Sequence, residues 1–311
     1  MLSVSIDGEK SKTIPSRGLY KTSVECSGDA TTGEWDYNAW SLVLNNVESN
    51  AKCNISFTSN LTEEEYDKYI EAGIALRRNT YRGKDITSYW KDGSLYTMIS
   101  NGAFDDIYVG DYIIDNKGNK WLIADIDNYL GAGTASHHAT IIPASGLMTS
   151  SMNDTNTAEG GYMGSKMVKE TLPNYLSTYV TPVFGGHIIT YKNYLTDSIS
   201  ATITNAFGVN TGASNHWAWY DRQIDLMSEN NVYGAAVCSS SAHDIGLDNQ
   251  QYALFQLKPK YKYSNGTGGR YHYWLKAVAY SHGFALADGS GISYYGAASG
   301  VNAVRPRFLI G

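Results

Sequence analysis

The stretch Ser281–Gly311, SHGFALADGSGISYYGAASGVNAVRPRFLIG, combines two features that decide the fold. Asp288-Gly289-Ser290-Gly291 supplies turn chemistry between two strand-like runs, GFALA and ISYYG, so this part reads as a β-hairpin. VRPRFLI then reads as an apolar strand that closes a core. The hairpin pattern places Phe284 and Leu286 on one side, with Ile292 and Tyr294 sharing a face of the return strand. Between these apolar runs the composition is Tyr, Ser, Gly, Ala and Asn. In such surfaces Tyr gives contact area at low entropic cost and the small residues give adaptable hydrogen bonding.

Working outward, the preceding YHYWLKAVA is a further strand, and GDYIID, KWLIADID and ATIIP read as strands separated by Gly-Asn and Gly-rich turns. YALFQLKP has a strand-like apolar pattern. GGYMGSKMVKET and YLSTYVTPVF read as short helices divided by Pro173, and KNYLTDSIS and DRQIDLMSE as helices. Helices gather in the middle and strands towards the end, which predicts an α+β fold. At the other end, YKTSVEC, a Gly-containing turn, WSLVL and KCNISF predict a small antiparallel β-module. LTEEEYDKYIEAGIALRRN follows, with a capping box at Thr62 and Glu65, apolar residues at Tyr66, Ile70 and Ile74, and a basic end at Arg77-Arg78. The expected organisation is a β-module over residues 1–60, a linker helix over 61–80 and an α+β domain over 81–311.

Composition bounds the partners. Of the 311 residues 42% are apolar and 17% charged, so the chain is globular with a surface covered mainly by hydroxyl and amide groups. The 25 Tyr against 7 Phe suit half-exposed aromatic positions. A net charge of −6 and no basic run longer than Arg77-Arg78 argue against nucleic acid. There is no apolar run near 18 residues, and the opening MLSVSIDGEKSKTIPS lacks the basic and apolar regions of a secretory signal, so neither membrane insertion nor secretion is expected. Cys26, Cys53 and Cys238 are expected as buried free thiols of a reducing cytosol, the alternative being a Cys26–Cys53 pair across the β-module.

Candidate chemistry is sparse. The seven His residues show no HExxH or Cys/His spacing, and His137-His138 at the start of ATIIP reads as a satisfied pair. MNDTNTAEGG lacks the alternating carboxylates of a calcium loop and reads as a turn capping the helix near Gly161. No metal or other cofactor is expected. Asp105-Asp106 and Asp125/Asp127 read as turn and edge residues. Cys238 lies five residues from His243 in CSSSAHD, on a Ser-rich run ill suited to fixed geometry, so no enzyme is expected. In ASNHWAWYD, Trp219-Tyr220 reads equally as core or as a ligand platform.

One resemblance runs through nearly the whole chain. YRGKDIT (81–87), GAFDDIYVGDYI (102–113), HHATIIP (137–143), MNDTNTAEGGYMGSKM (152–167), IDLMSENNVYG (224–234), YWLKAVA (273–279), GFALADGSGISYYGAAS (283–299) and VRPRF (304–308) occur in order. Together they resemble phage and prophage virion proteins whose C-terminal domain has a C-type-lectin-like fold related to formylglycine-generating enzymes, some being variable proteins of diversity-generating retroelements. The segment with VEC, WDYNAW and KCNISF looks like a module often found ahead of that domain. The resemblance implies a framework of Trp274, Leu275, Phe284, Ala285, Gly291, Gly296, Val304, Arg305, Pro306 and Phe308. It also implies a face whose side chains vary between copies, because a reverse transcriptase rewrites codons at adenines. That face is Tyr280, His282, Asp288, Ser290, Ile292, Tyr294, Tyr295, Ser299, Val301 and Asn302. Ala303 stands where Gly commonly precedes VRP, leaving the local turn in question, and Lys276 stands where Arg is usual. EPN-like and WND motifs of calcium-dependent lectins are absent, and Cys238 matches no reactive pair of the enzyme relatives. The implied role is a non-enzymatic protein on the virion surface, made in the bacterial cytoplasm and attached to other virion proteins as a homotrimer. Its face would meet a host-cell or mucosal glycoprotein or glycan. The alternative is a structural virion component, a decoration or tail-tip part, with no ligand of its own.

Overall fold

The computed structural model describes residues 21–27, 31–36, 41–45, 53–58, 74–130, 136–202, 213–239, 244, 246–263, 265 and 269–311. The chain separates into two compact units, 1–76 with 103–106, and 77–102 with 107–311.

The first unit holds β1 (Lys21–Cys26), β2 (Thr31–Asp36), β3 (Ser41–Asn45) and β4 (Cys53–Thr58), paired antiparallel as β1 with β4 and β2 with β3. The run read as a Gly-containing turn is β2. Cys26 lies directly opposite Cys53 in the β1–β4 register, and the two are joined in a disulfide. This corrects the free-thiol expectation: antiparallel pairing opposes the two Cβ atoms at the reach a disulfide requires. Of the expected linker helix, residues 61–73 lie outside the described residues, and 74–78 are helical.

The second unit is a mixed α+β fold. Its strands are β5 (Tyr112–Ile114), β6 (Lys120–Ile126), β7 (Ala139–Pro143), β8 (Met148–Ser150), β9 (Tyr191–Ile199), β10 (Ser214–Arg222), β11 (Asp225–Leu226), β12 (Tyr273–Tyr280), β13 (Gly283–Ala287), β14 (Ser293–Ala297), β15 (Asn302–Val304) and β16 (Pro306–Ile310). They form a sheet in the order β11-β16-β7-β6-β5, a second in the order β14-β13-β12-β15-β8, and the ribbon β9–β10. Every residue of β7, β13 and β16 is buried, which explains their mostly small and apolar composition, with Thr140 and Arg307 as the polar exceptions.

The last strands join the two sheets. β15 runs parallel to β12 in one sheet, and two residues later β16 pairs antiparallel with β7 in the other. The crossing falls at Arg305-Pro306. Arg305 is buried, donates from Nε to the Pro143 carbonyl (3.0 Å) and from Nη1 to the Tyr261 carbonyl (2.7 Å), and lies 5.1 Å from the Tyr273 ring centroid. Ala303 lies within β15, and a methyl on Gly146 would stand 2.6 Å from its Cβ, so Gly146 leaves the space that Ala303 fills. The position expected to be a turn is strand.

Several local readings are corrected. KNYLTDSIS is strand β9, in which Tyr191, Asn193 and Leu195 are buried alternately, and DRQIDLMSE spans the end of β10, β11 and the cap of a helix at Glu229–Tyr233. YALFQLKP contains a helix, Ala253–Leu257. Pro173 does not divide two helices. Helical structure is nearly continuous over 161–187, with π-turns at Met167–Thr171 and Leu176–Val180. Each π-turn ends just before a proline, closing with Leu172 N–H on the Met167 carbonyl and Thr181 N–H on the Leu176 carbonyl. Widening the helix by one residue there accommodates Pro173 and Pro182, which cannot donate. Among the described residues no helix is long and apolar enough to cross a membrane.

Candidate functional site

The ten residues of the expected face fall on the β12–β13 turn, the β13–β14 hairpin and the loop into β15. His282, Ser290 and Ser299 are exposed, as are Ile292 (60% accessible), Tyr294 (48%) and Val301 (67%), while Tyr280, Asp288, Tyr295 and Asn302 are half-buried. The expected framework behaves oppositely. Trp274, Leu275, Phe284, Ala285, Val304, Arg305, Pro306 and Phe308 are buried, and Gly291 and Gly296 are half-buried.

Four of the ten form one aromatic cluster. The Tyr294 and Tyr295 rings stack at 4.7 Å between centroids, Tyr280 meets Tyr295 edge-on at 5.3 Å, and His282 lies 6.2 Å from Tyr280. Burial, followed by the neighbouring Tyr294, pushes the Tyr280 phenol up, so it presents a neutral hydroxyl at physiological pH. The cluster stands on a close approach of backbones: a Cβ on Gly283 would lie 2.3 Å from the Gly296 carbonyl oxygen and 2.4 Å from the Tyr280 ring. Leu286 is opposite Tyr294 in the β13–β14 register, and Leu286 is buried while the Tyr294 ring is exposed. Ile292 lies outside the strand, in the turn.

That turn is built by Asp288. Its Oδ1 accepts from the N–H of Ser290 (2.8 Å) and of Ile292 (2.9 Å), and its backbone bonds close the loop with Ile292 and Gly291. Gly291 has φ +88° and faces the Tyr263 ring at a distance that leaves no room for a Cβ. Asp288 therefore holds the turn as well as facing solvent.

Two supports were not found from the sequence. Glu229 is fully buried, and its carboxylate accepts from the N–H groups of Val237, Cys238 and Ser239, from the Ser239 hydroxyl and from the Ser293 hydroxyl on β14. One carboxylate thus fixes the 237–239 loop to the hairpin. The 152–158 loop braces the other side. Asn153 N–H donates to the Ala298 carbonyl, Ala158 N–H to the Ser281 carbonyl, and Asn156 Oδ1 accepts from both the backbone and the hydroxyl of Ser299. This loop was expected to cap a helix. Gly160 sits at the helix start with φ +76° and no side-chain cap, while the Asn153 side chain accepts the N–H of Lys166 further along the helical segment and donates to the Thr157 carbonyl, and the Asn156 side chain serves the face. The signal for it was the Asn-rich composition alone, because the partners lie more than 120 residues away.

The core of the second unit holds a buried ionic network. Asp248 accepts from Lys276 Nζ (2.7 Å), Arg307 Nη2 (2.9 and 3.0 Å) and the Tyr129 hydroxyl. Arg307 also lies over the rings of Tyr191 (4.3 Å) and Tyr129 (4.8 Å). Burial would raise the Asp248 pKa, but the charges of Arg307 and Lys276 and the hydrogen bonds outweigh it and hold the carboxyl well below the usual range. Lys276, the departure from Arg, is thereby a core partner of Asp248, tying β12 to the same carboxylate as β16.

The remaining candidates have structural roles. Burial, then the Glu229 charge, pushes the Cys238 thiol up to about 12, so it is not an activated nucleophile; His243 lies outside the described residues. His138 is buried, contacts the Ser136 carbonyl through Nδ1 and accepts the Tyr129 N–H at Nε2, while His137 pairs with Asp127 at 2.7 Å. Asp125 is not an edge residue: it is fully buried and takes Arg78 at 2.6 Å and the N–H groups of Ile126 and Ala253. Asp105-Asp106 form a turn. Of the open pair, Trp219 is 54% accessible and Tyr220 is half-buried, bonded to Asp197. Among the described residues no group of His, Cys, Asp and Glu has a metal-binding arrangement. No family model, curated protein or solved structure matches the chain.

Proposed function

We propose that this chain is a phage virion surface protein that displays a diversifiable C-type-lectin-like face. Residues 81–311 form the display domain, and residues 1–80 attach it to other virion proteins and to sister chains as a homotrimer. The partner met by the face is a host-cell surface or mucosal glycoprotein or glycan, and no catalysis is involved. The observation that carries this reading is the division of one short segment by burial: no position expected to vary is buried, and six of the ten are exposed, around a tyrosine cluster, while eight of the ten positions expected to be constant are buried. Tyr-rich, adaptable surfaces on a rigid scaffold suit recognition.

The test is binding of the purified protein to immobilised mucin and to intact bacterial cells, comparing wild type with the Tyr294→Ala/Tyr295→Ala double variant. Binding should be lost in the variant while the protein remains folded, as circular dichroism would show. Equal binding by both proteins would remove the face from the interaction. Exposed Ile292 and Val301 favour the structural reading as second choice; it requires residues 280–302 to be covered in the assembled particle, which hydrogen exchange on virions would register as protection.

A further inference from the structure

The ribbon β9–β10 carries a second surface, remote in sequence from the 280–302 segment. Its register places Tyr194 opposite Trp219 and Lys192 opposite Asp221, so by the two-residue period these four side chains share one face with Trp217. Trp219 is 54% accessible, and the Tyr194 ring lies 5.1 Å from it, tilted by 45°. At one end of the strip Lys192 Nζ stands 3.2 Å from Asp221 Oδ1, with both side chains more than 60% accessible. At the other end the Trp217 indole N–H donates to Asp244 Oδ1 (3.1 Å), which also accepts the Thr196 hydroxyl (2.6 Å). Asp244 is buried, so this end of the ribbon is pinned. The backbone at Gly246 lies so close to the Tyr194 carbonyl oxygen that a Cβ would stand 2.4 Å from it, so Gly246 packs against β9. The indole is therefore mounted on a stiff support.

We propose that this strip is a binding platform for a neutral saccharide. A pyranose ring has one face of C–H groups, slightly positive, and an edge of hydroxyls. The Trp219 indole offers an electron-rich apolar surface of matching size, and Tyr194 borders it. The Lys192–Asp221 pair beside it offers a donor and an acceptor to vicinal hydroxyls. An exposed ion pair of this kind stabilises the fold little, so its groups turn to a ligand at small cost. The pair has no net charge, which fits a neutral sugar better than a sialylated or phosphorylated one. One indole beside one phenol and an ion pair is too small and too polar to be the core of a stable protein interface. The platform uses none of the residues 280–302, so in this chain it would be a fixed contact alongside a replaceable one. Single platforms of this size bind weakly, and repetition across an oligomer would multiply the effect.

The full chain, titrated calorimetrically with cellohexaose, chitohexaose and mannohexaose, should bind at least one of them. Trp219→Ala should weaken that binding about tenfold and Asp221→Ala about threefold, with Trp219→Phe retaining most of it. The Tyr294→Ala/Tyr295→Ala variant should bind like wild type, which separates this site from the C-terminal face. The proposal is overturned if none of the three oligosaccharides binds at millimolar concentration. It is equally overturned if a folded Trp219→Ala protein, checked by circular dichroism, binds as well as wild type, or if binding is lost only in the double tyrosine variant.

Discussion

Replacing Asp248 by Asn should destabilise the second unit more than any substitution on the exposed face. The side chains of Asp248 and Arg307 are fully buried and that of Lys276 is 1% accessible, so the carboxylate meets two cations that have almost no access to water. Asn keeps the shape but removes the charge and turns an amide N–H₂ towards a donor. Breaking a buried ion pair by removing one partner costs about 3–5 kcal/mol because the other charge is left uncompensated. For a unit of this size that corresponds to a fall in melting temperature on the order of 10 °C. Lys276→Met, which leaves Arg307 with its partner, should cost less, roughly 1.5–3 kcal/mol for a lost charged hydrogen bond. The sign with pH follows from the depressed carboxyl. Its contribution is complete above the unfolded value of about 3.9 and is lost as pH falls through the lower folded value. The gap between wild type and Asp248→Asn should therefore be constant from about pH 5 to 7 and narrow below about pH 4. Urea unfolding at a series of pH values measures both quantities. A gap under about 1 kcal/mol at pH 7, or one that widens in acid, would refute the view that this carboxylate neutralises the core.

The disulfide closes a loop with a sequence separation of 27 residues, so Cys26→Ser/Cys53→Ser should cost the first unit about 3.5 kcal/mol by chain entropy and leave the melting of the second unit unchanged, as calorimetry would resolve. Gly283→Ala, which sets a methyl 2.3 Å from the Gly296 carbonyl oxygen, should destabilise by about 1–3 kcal/mol in urea and weaken mucin or cell binding by shifting Tyr280. With its thiol at about 12, Cys238 should react with a disulfide reagent at pH 8 on the order of 10³ times more slowly in the native protein than after denaturation, and equal rates would contradict its buried, Glu229-flanked setting.

Sequence reading succeeded where one local period decided the outcome. KWLIADI, ATIIP, GFALA and PRFLI are strands because buried strands are rich in small and apolar residues, and these runs are so apart from Lys120, Asp125, Thr140 and Arg307. It failed where a short segment fitted two periods. In KNYLTDSIS, Leu195 and Ile199 are four apart and so fit a helix, but they are also an even number apart and fit a strand. Pairing with β10 selects the strand. YALFQLKP looked like a strand, yet the Asp125 carboxylate accepts the Ala253 N–H at the start of a helix, a contact 128 residues distant. The supports of the face were illegible for the same reason. Glu229 and Asn156 act on face residues 64 and 143 positions away, and no local pattern encodes such pairs.

The division between frame and face also sets which of the ten positions are replaceable. Exposed side chains that make no specific bond usually change stability by under about 0.5 kcal/mol when substituted, and Ile292 and Val301 stand in that class by exposure. Asp288 does not, because its Oδ1 holds two backbone N–H groups of the hairpin turn; among common residues only Asn offers the same acceptor at the same reach. Tyr280 is intermediate, since its ring fills the space above Gly283. Under the proposed reading, substitution by adenine-directed codon change would be tolerated unevenly. Asp288→Ala should loosen the β13–β14 turn and reduce stability by about 1 kcal/mol, whereas Asp288→Asn should keep both turn and stability. Amide exchange of Ser290 and Ile292 in the two variants measures this directly. Fast exchange in both, or in neither, would show that the turn does not depend on the side-chain acceptor, and Asp288 would then belong wholly to the replaceable face.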